Sequence, residues 1–231
     1  MFKKITNEIL SLKNPDKAKI LQGFFKTGIG EYGEGDIFLG ITVPELRNIS
    51  KKYISINFED IELLLKSEIH DFRFIALCIL RLKYEKGDEN AKKAVFDFSI
   101  KNIEKINNWD LVDTYVHYTI GDYILDKDRE ILYKFSKSEN LWIRRISIIS
   151  TFAFIKRNLF EDTLKICEIL LNDKHDLIHK ATGWMLREAG KRDKQILINF
   201  LDKHSKNMPR TMLRYSIEKL SKEEKELYMK K

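Results

Sequence analysis

An all-α fold made of repeated helical pairs is predicted by three observations on this 231-residue chain. Apolar residues recur at three- and four-residue intervals along almost every segment. The chain holds only 3 Pro and 10 Gly, so helices can run with few interruptions. Five long helical stripes also return at a steady interval: with Ala76, Leu111, Ser147, Thr182 and Ser216 taken as equivalent mid-helix positions, the steps are 35, 36, 35 and 34 residues. Long helix, turn, short helix, repeated at such a period, is the signature of a HEAT-like solenoid, an α-α superhelix whose equivalent helices line a concave groove. The expectation is a single repeat domain over residues 1–231.

The elements follow in order. MFKKITNEILSLKN is amphipathic, and NPDKAKILQGFF opens with Asn14 as N-cap and Pro15 at the first helical position. TVPELRNISKKY repeats the device, with Pro44 inside the first turn. Between them, KTGIGEYGEGDIFLGI (26–41) holds five of the ten glycines and reads as a shaped loop, anchored by Phe38 and Leu39, with Tyr32 available to a ligand. It is neither GxxxxGK[ST] nor a GxGxxG after a strand, so nucleotide binding finds little support there. The long stripes are DFRFIALCILRLKY, NNWDLVDTYVHYTIGDYIL, ENLWIRRISIISTFAFIK, DLIHKATGWMLREAGK and PRTMLRYSIEKL. In the third, the β-branched run ISIISTF raises strand propensity, but its length and flanks favour a buried helix. The shorter partners are ENAKKAVFDFSIKNIEKI, DREILYKFSKS, FEDTLKICEILL and KQILINFLDKH.

Composition excludes several classes. With 43% hydrophobic and 33% charged residues the chain reads as globular rather than disordered. No apolar run is long enough for a membrane span and no cleavage site marks a signal peptide, so a cytoplasmic protein is expected. Cys78 and Cys167 lie far apart in apolar helical runs and read as buried thiols. His175 and His179 are four residues apart but have no third ligand nearby, so neither metal nor cofactor is expected. Nothing points to extra apolar surface, and a monomer is expected.

The formal charge of +7 decides little by itself; its placement matters more. Arg144, Arg145, Lys180, Arg187, Lys191, Arg192, Arg210 and Arg214 all fall on or beside the long stripes. If those helices line a groove, that is where a duplex backbone is met, each cation neutralising a phosphate. Trp142 reads as core, whereas Trp109 and Trp184 sit among polar neighbours and suit either core or a site. Trp109 and Asp113 are four apart and so share one helix face, with Asp110 pointing elsewhere. A carboxylate in a basic groove repels a polyanion, which hints at a cationic feature to be met there.

At these residues the chain resembles the HEAT-like DNA alkylation repair family, the AlkD-type DNA glycosylases. The match lies in WDLVD (109–113), LWIRR (141–145) and GWMLRE (183–188), supported by FLGITVPELR (38–47) and MPRTMLRYSIEKL (208–220). The order and spacing of the set, rather than any one motif, carry the likeness. It implies removal of positively charged N3- and N7-alkylated purines from double-stranded DNA, without a cofactor and without flipping the base. It also implies that Trp109, Asp113 and Trp184 form the catalytic cleft and that Arg145 holds the DNA backbone, with Arg144 able to share that role. Residues 26–41 look like an insertion relative to shorter members. Because some relatives keep the scaffold without repair activity, two alternatives stay open: a non-catalytic DNA- or RNA-binding scaffold, and a protein-interaction solenoid.

Overall fold

The computed structural model describes residues 1–230. Among them there is no β-strand; the one strand-like feature is an isolated parallel bridge between Ile37 and Ile69. The helices are α1 (Phe2–Ser11), α2 (Pro15–Phe24), α3 (Val43–Lys52), α4 (Phe58–Leu65), α5 (His70–Lys86), α6 (Glu89–Lys101), α7 (Trp109–Tyr115), α8 (Ile120–Tyr123), α9 (Glu130–Ser136), α10 (Leu141–Ser150), α11 (Phe152–Ile155), α12 (Glu161–Ile169), α13 (Asp176–Arg192), α14 (Lys194–His204), α15 (Arg210–Ser216) and α16 (Lys222–Met229). None is long and apolar enough to cross a membrane.

The contacts cluster into two compact units, Met1–Leu111 and Val112–Lys231. The boundary falls inside α7. In the first unit the 17-residue α5 is the centre, with α3, α4 and α6 packed on it. Its segment from His70 to Leu80 is buried throughout, the polar side chains of His70, Asp71 and Arg73 included. In the second unit α13 takes that place, packing against α10, α11, α12, α14 and α15.

The repeat phasing is visible in the burial. Ala76, Leu111, Ser147, Thr182 and Ser216 are all fully buried, at 0% exposure. Small side chains at four of these positions allow close helix packing, and the hydroxyls of Ser147, Thr182 and Ser216 donate to main-chain carbonyls of Leu132, Ile178 and Leu213. Gly183 serves the same end. A Cβ there would lie 2.5 Å from the Met212 carbonyl oxygen, so only glycine lets α15 approach α13 this closely.

Local signals acted as expected. Asn14 accepts from the Lys17 N–H at 3.0 Å, and Thr42 with Glu45 forms a capping box in front of Pro44. The β-branched part of the ISIISTF run, Ile146 to Ser150, is helical and buried. Two stripes are less continuous than their periodicity. After α7 the chain tightens into a 3-10 turn, Val116–Tyr118, before α8. There Thr119 Oγ1 donates back to the Tyr115 carbonyl at 3.0 Å, the competing side-chain bond that bends helices. The second break is at Thr151, between α10 and α11.

Candidate active site around helix α7

Helix α7 is fixed at its start by the glycine-rich loop. Asn108, fully buried, accepts the Trp109 N–H at 2.8 Å and donates to Asp36 Oδ2 at 3.0 Å. Asp36 Oδ1 in turn receives Arg73 Nη2 at 2.6 Å, and Arg73 Nη1 donates to the Ser67 carbonyl. Asp36 and Arg73 are themselves buried, so loop 26–41 reaches into the first unit with a paired charge that holds the α7 cap. Phe38 and Leu39 anchor the loop as expected. Tyr32 differs from the expectation: it is half-buried and its hydroxyl donates to the Phe24 carbonyl at 3.3 Å, so it braces the loop instead of waiting for a ligand.

Trp109 is half-buried. Its indole lies parallel to Phe25, 5.0 Å between centroids and 9° between planes, and meets Phe24 edge-on at 5.9 Å. One side of the ring is therefore committed to packing. Asp110 does point elsewhere: it accepts from His70 Nε2 at 2.9 Å and from the Leu111 N–H at 2.8 Å.

Asp113, in the second unit, is held by Arg145. Nε and Nη2 of the guanidinium donate to its two carboxylate oxygens at 3.0 and 2.7 Å, a bidentate pair, and Nη1 donates to the Leu177 carbonyl at 2.5 Å. The Arg145 side chain is 5% exposed and the Asp113 side chain 19%. Asp113 is thus oriented and its charge offset, and its side chain is only partly buried. Trp184, half-buried on α13, packs against Phe152 at 5.8 Å, and its Nε1–H donates to Glu188 Oε1 at 3.2 Å. Beside Phe152, Lys156 Nζ lies 4.6 Å from the centres of both the Phe152 and Tyr118 rings. Trp142 is core.

Six of the eight basic residues expected to meet phosphate fall into different environments as follows. Arg145 is buried against Asp113, a place the resemblance did not imply. Arg144 is drawn onto Asp173 at 2.6 Å and onto the Ser138 and Glu139 carbonyls. Lys180 pairs with Asp176 at 2.8 Å, and Arg187 pairs with Glu218. Arg210 and Arg214 are exposed; Arg210 reaches the Met229 carbonyl at 3.3 Å, and Arg214 has no ion-pair partner among the described residues. Much of the positive charge on these helices is therefore already matched by acids that the sequence scattered elsewhere.

No group of three or more metal-ligating side chains occurs among the described residues. His175 caps α13 by accepting the Leu177 N–H, and His179 donates to the Asp173 carbonyl. Both cysteines are buried and unpaired with one another.

Over residues 5–220 the chain matches the family profile described as DNA alkylation repair enzyme. That match spans nearly the whole all-helical chain, and the chain belongs to the DNA alkylation repair enzyme family. Its structure is similar to that of a predicted DNA alkylation repair enzyme from Enterococcus faecalis, with a TM-score of 0.71 and 19% identity over 91% of this chain and 97% of that one. No curated protein matches the sequence.

Proposed function

We propose that the protein is a DNA glycosylase that hydrolyses the N-glycosidic bond of positively charged N3- and N7-alkylpurines in duplex DNA, without flipping the base. The observation that carries this reading is Asp113, a carboxylate fixed by two charge-assisted hydrogen bonds from Arg145 four residues from the half-buried Trp109. Alkylation places a positive charge on the purine and makes it a good leaving group. The C1′–N bond breaks with its electron pair passing to the purine, which leaves neutral. Oxocarbenium character then develops on the deoxyribose, and a preorganised carboxylate stabilises it. Water adds to C1′, and the proton it loses is taken up by Asp113 or by solvent. Indole faces at Trp109 and Trp184 add cation–π attraction of about 0.5–2 kcal/mol each as the sugar becomes positive. Arg145 acts in this scheme first on Asp113, fixing its two oxygens. Arg210 and Arg214, exposed on α15, are the cations best placed to meet backbone phosphates.

The test is release of free base. A duplex carrying N7-methylguanine, incubated with the folded protein, yields 7-methylguanine faster than its spontaneous loss, whereas an undamaged duplex yields no guanine. Lesion-indifferent, salt-sensitive binding without release would instead favour a non-catalytic scaffold.

A further inference from the structure

Trp184 enters the excision proposed above only as an indole face, and a face helps only if its orientation is fixed. Cation–π attraction requires the charge over the ring, within about 6 Å of its centre. The torsion that turns an indole about its Cβ is broad, so some contact outside the side chain must set it. Trp109 is set by aromatic packing, parallel to Phe25 and edge-on to Phe24. Trp184 is half-buried, and it meets Phe152 only at a tilt of 52° between planes.

The polar edge of the Trp184 ring carries a second restraint. Its Nε1–H donates to Glu188 Oε1 at 3.2 Å, and the acid stands one helical turn further along α13, on the same face. The same oxygen receives Lys191 Nζ at 2.7 Å, and Arg187 Nε lies 3.6 Å from it. The Glu188 side chain is 15% exposed and that of Lys191 43%. Glu188 is therefore itself held by a cation, as Asp113 is held by Arg145.

Two effects follow from a carboxylate at this edge. The hydrogen bond limits rotation of the ring. A donor bonded to an anion also passes electron density into its own π system, so the indole face becomes more negative and draws a cation more strongly. DNA affinity gains nothing from Glu188, since a carboxylate repels phosphate and occupies Lys191. We infer that Glu188 is a positioning residue for base excision, acting through Trp184: it sets the orientation of the indole and enriches the face presented to the cationic sugar. This inference rests on the glycosylase reading.

Glu188→Gln keeps an acceptor oxygen without the charge, and Glu188→Leu removes both. Lys191 is exposed enough that losing its acid costs little stability, and circular dichroism checks that both variants fold. Each is compared with the wild type in single-turnover release of 7-methylguanine at saturating enzyme and in duplex affinity. The third readout is the Trp184 indole N–H resonance of isotopically labelled protein, assigned by its absence from Trp184→Phe. The saturating rate should fall about tenfold in Glu188→Leu and about threefold in Glu188→Gln. Duplex affinity should be unchanged or tighter, because Lys191 is released. The resonance should move upfield and exchange faster with water in Glu188→Leu, with Glu188→Gln between. With an active wild type, an undiminished saturating rate in Glu188→Leu, a loss of affinity alone, or an unmoved resonance would each overturn the inference and leave the glycosylase reading standing. Wild-type release no faster than spontaneous loss would instead refute that reading, and this inference with it. Should Glu188→Leu not fold, the threefold loss in Glu188→Gln decides.

Discussion

Replacing Arg145 by methionine removes three hydrogen bonds at once while keeping a side chain of similar length. Two of them are the 3.0 and 2.7 Å bonds to Asp113, and the third is the bond to the Leu177 carbonyl. Asp113 is then a mostly buried carboxylate with its guanidinium gone. Breaking a buried pair in this way costs about 3–5 kcal/mol, and the partial exposure of Asp113 places the expected loss near the lower end, about 3 kcal/mol. For a chain of this size that lowers the melting temperature by roughly 6–12 °C. Asp113→Leu strands the guanidinium and costs a similar amount. The double variant, which removes both charges, should lose about 2 kcal/mol less than the sum of the singles. Urea denaturation of the four proteins, with midpoints compared at constant m-value, measures the coupling. Additive losses, within about 0.5 kcal/mol, would refute the account of Asp113 as a carboxylate held by Arg145.

Three further outcomes are expected. Asp36→Leu leaves the buried Arg73 guanidinium without its acid and the Asn108 amide without its acceptor, and should lower stability by about 3–5 kcal/mol in a urea melt; a change below about 1 kcal/mol would mean that loop 26–41 does not hold the cap of α7. Gly183→Ala drives a methyl group into the Met212 carbonyl and should cost about 1–3 kcal/mol by the same measurement, more than an alanine at an exposed helical glycine gains. Burial raises the Cys78 thiol to about 11 and the Cys167 thiol further still. With so high a pKa the thiolate fraction of Cys78 at pH 8 is roughly one in a thousand, so a disulfide reagent such as Ellman's should detect no thiol in the native protein and both after unfolding in urea.

The helical periods were legible because burial in a repeat array is itself periodic. That is why five positions chosen from spacing alone, Ala76 through Ser216, all lie fully buried. Caps at Asn14 and Thr42 were legible because they depend on residues within one turn. What sequence spacing did not show is the partnership of charges across helices. Asp113 and Arg145 are 32 residues apart, and each stands two positions from its repeat's reference residue, Leu111 or Ser147, on opposite sides. The near-constant step between repeats was the one signal that could have paired them. The Asp36–Asn108 bond, spanning 72 residues, had no such signal, because the glycine-rich loop lies outside the repeat. The same holds for the acids that hold Arg144, Lys180 and Arg187: the cations were countable in the sequence, their partners were not.

The central claim, that a fixed Asp113 carboxylate drives excision of cationic purines, is tested most directly by single-turnover release of 7-methylguanine from duplex DNA by the wild-type protein and by Asp113→Asn. Both are assayed at a temperature where both are folded. The account predicts release well above the spontaneous rate for the wild type. The variant should be at least about 100-fold slower, with duplex affinity equal or slightly higher because a repulsive charge is gone. Release by Asp113→Asn at the wild-type rate, or none above background from the wild type, would contradict it.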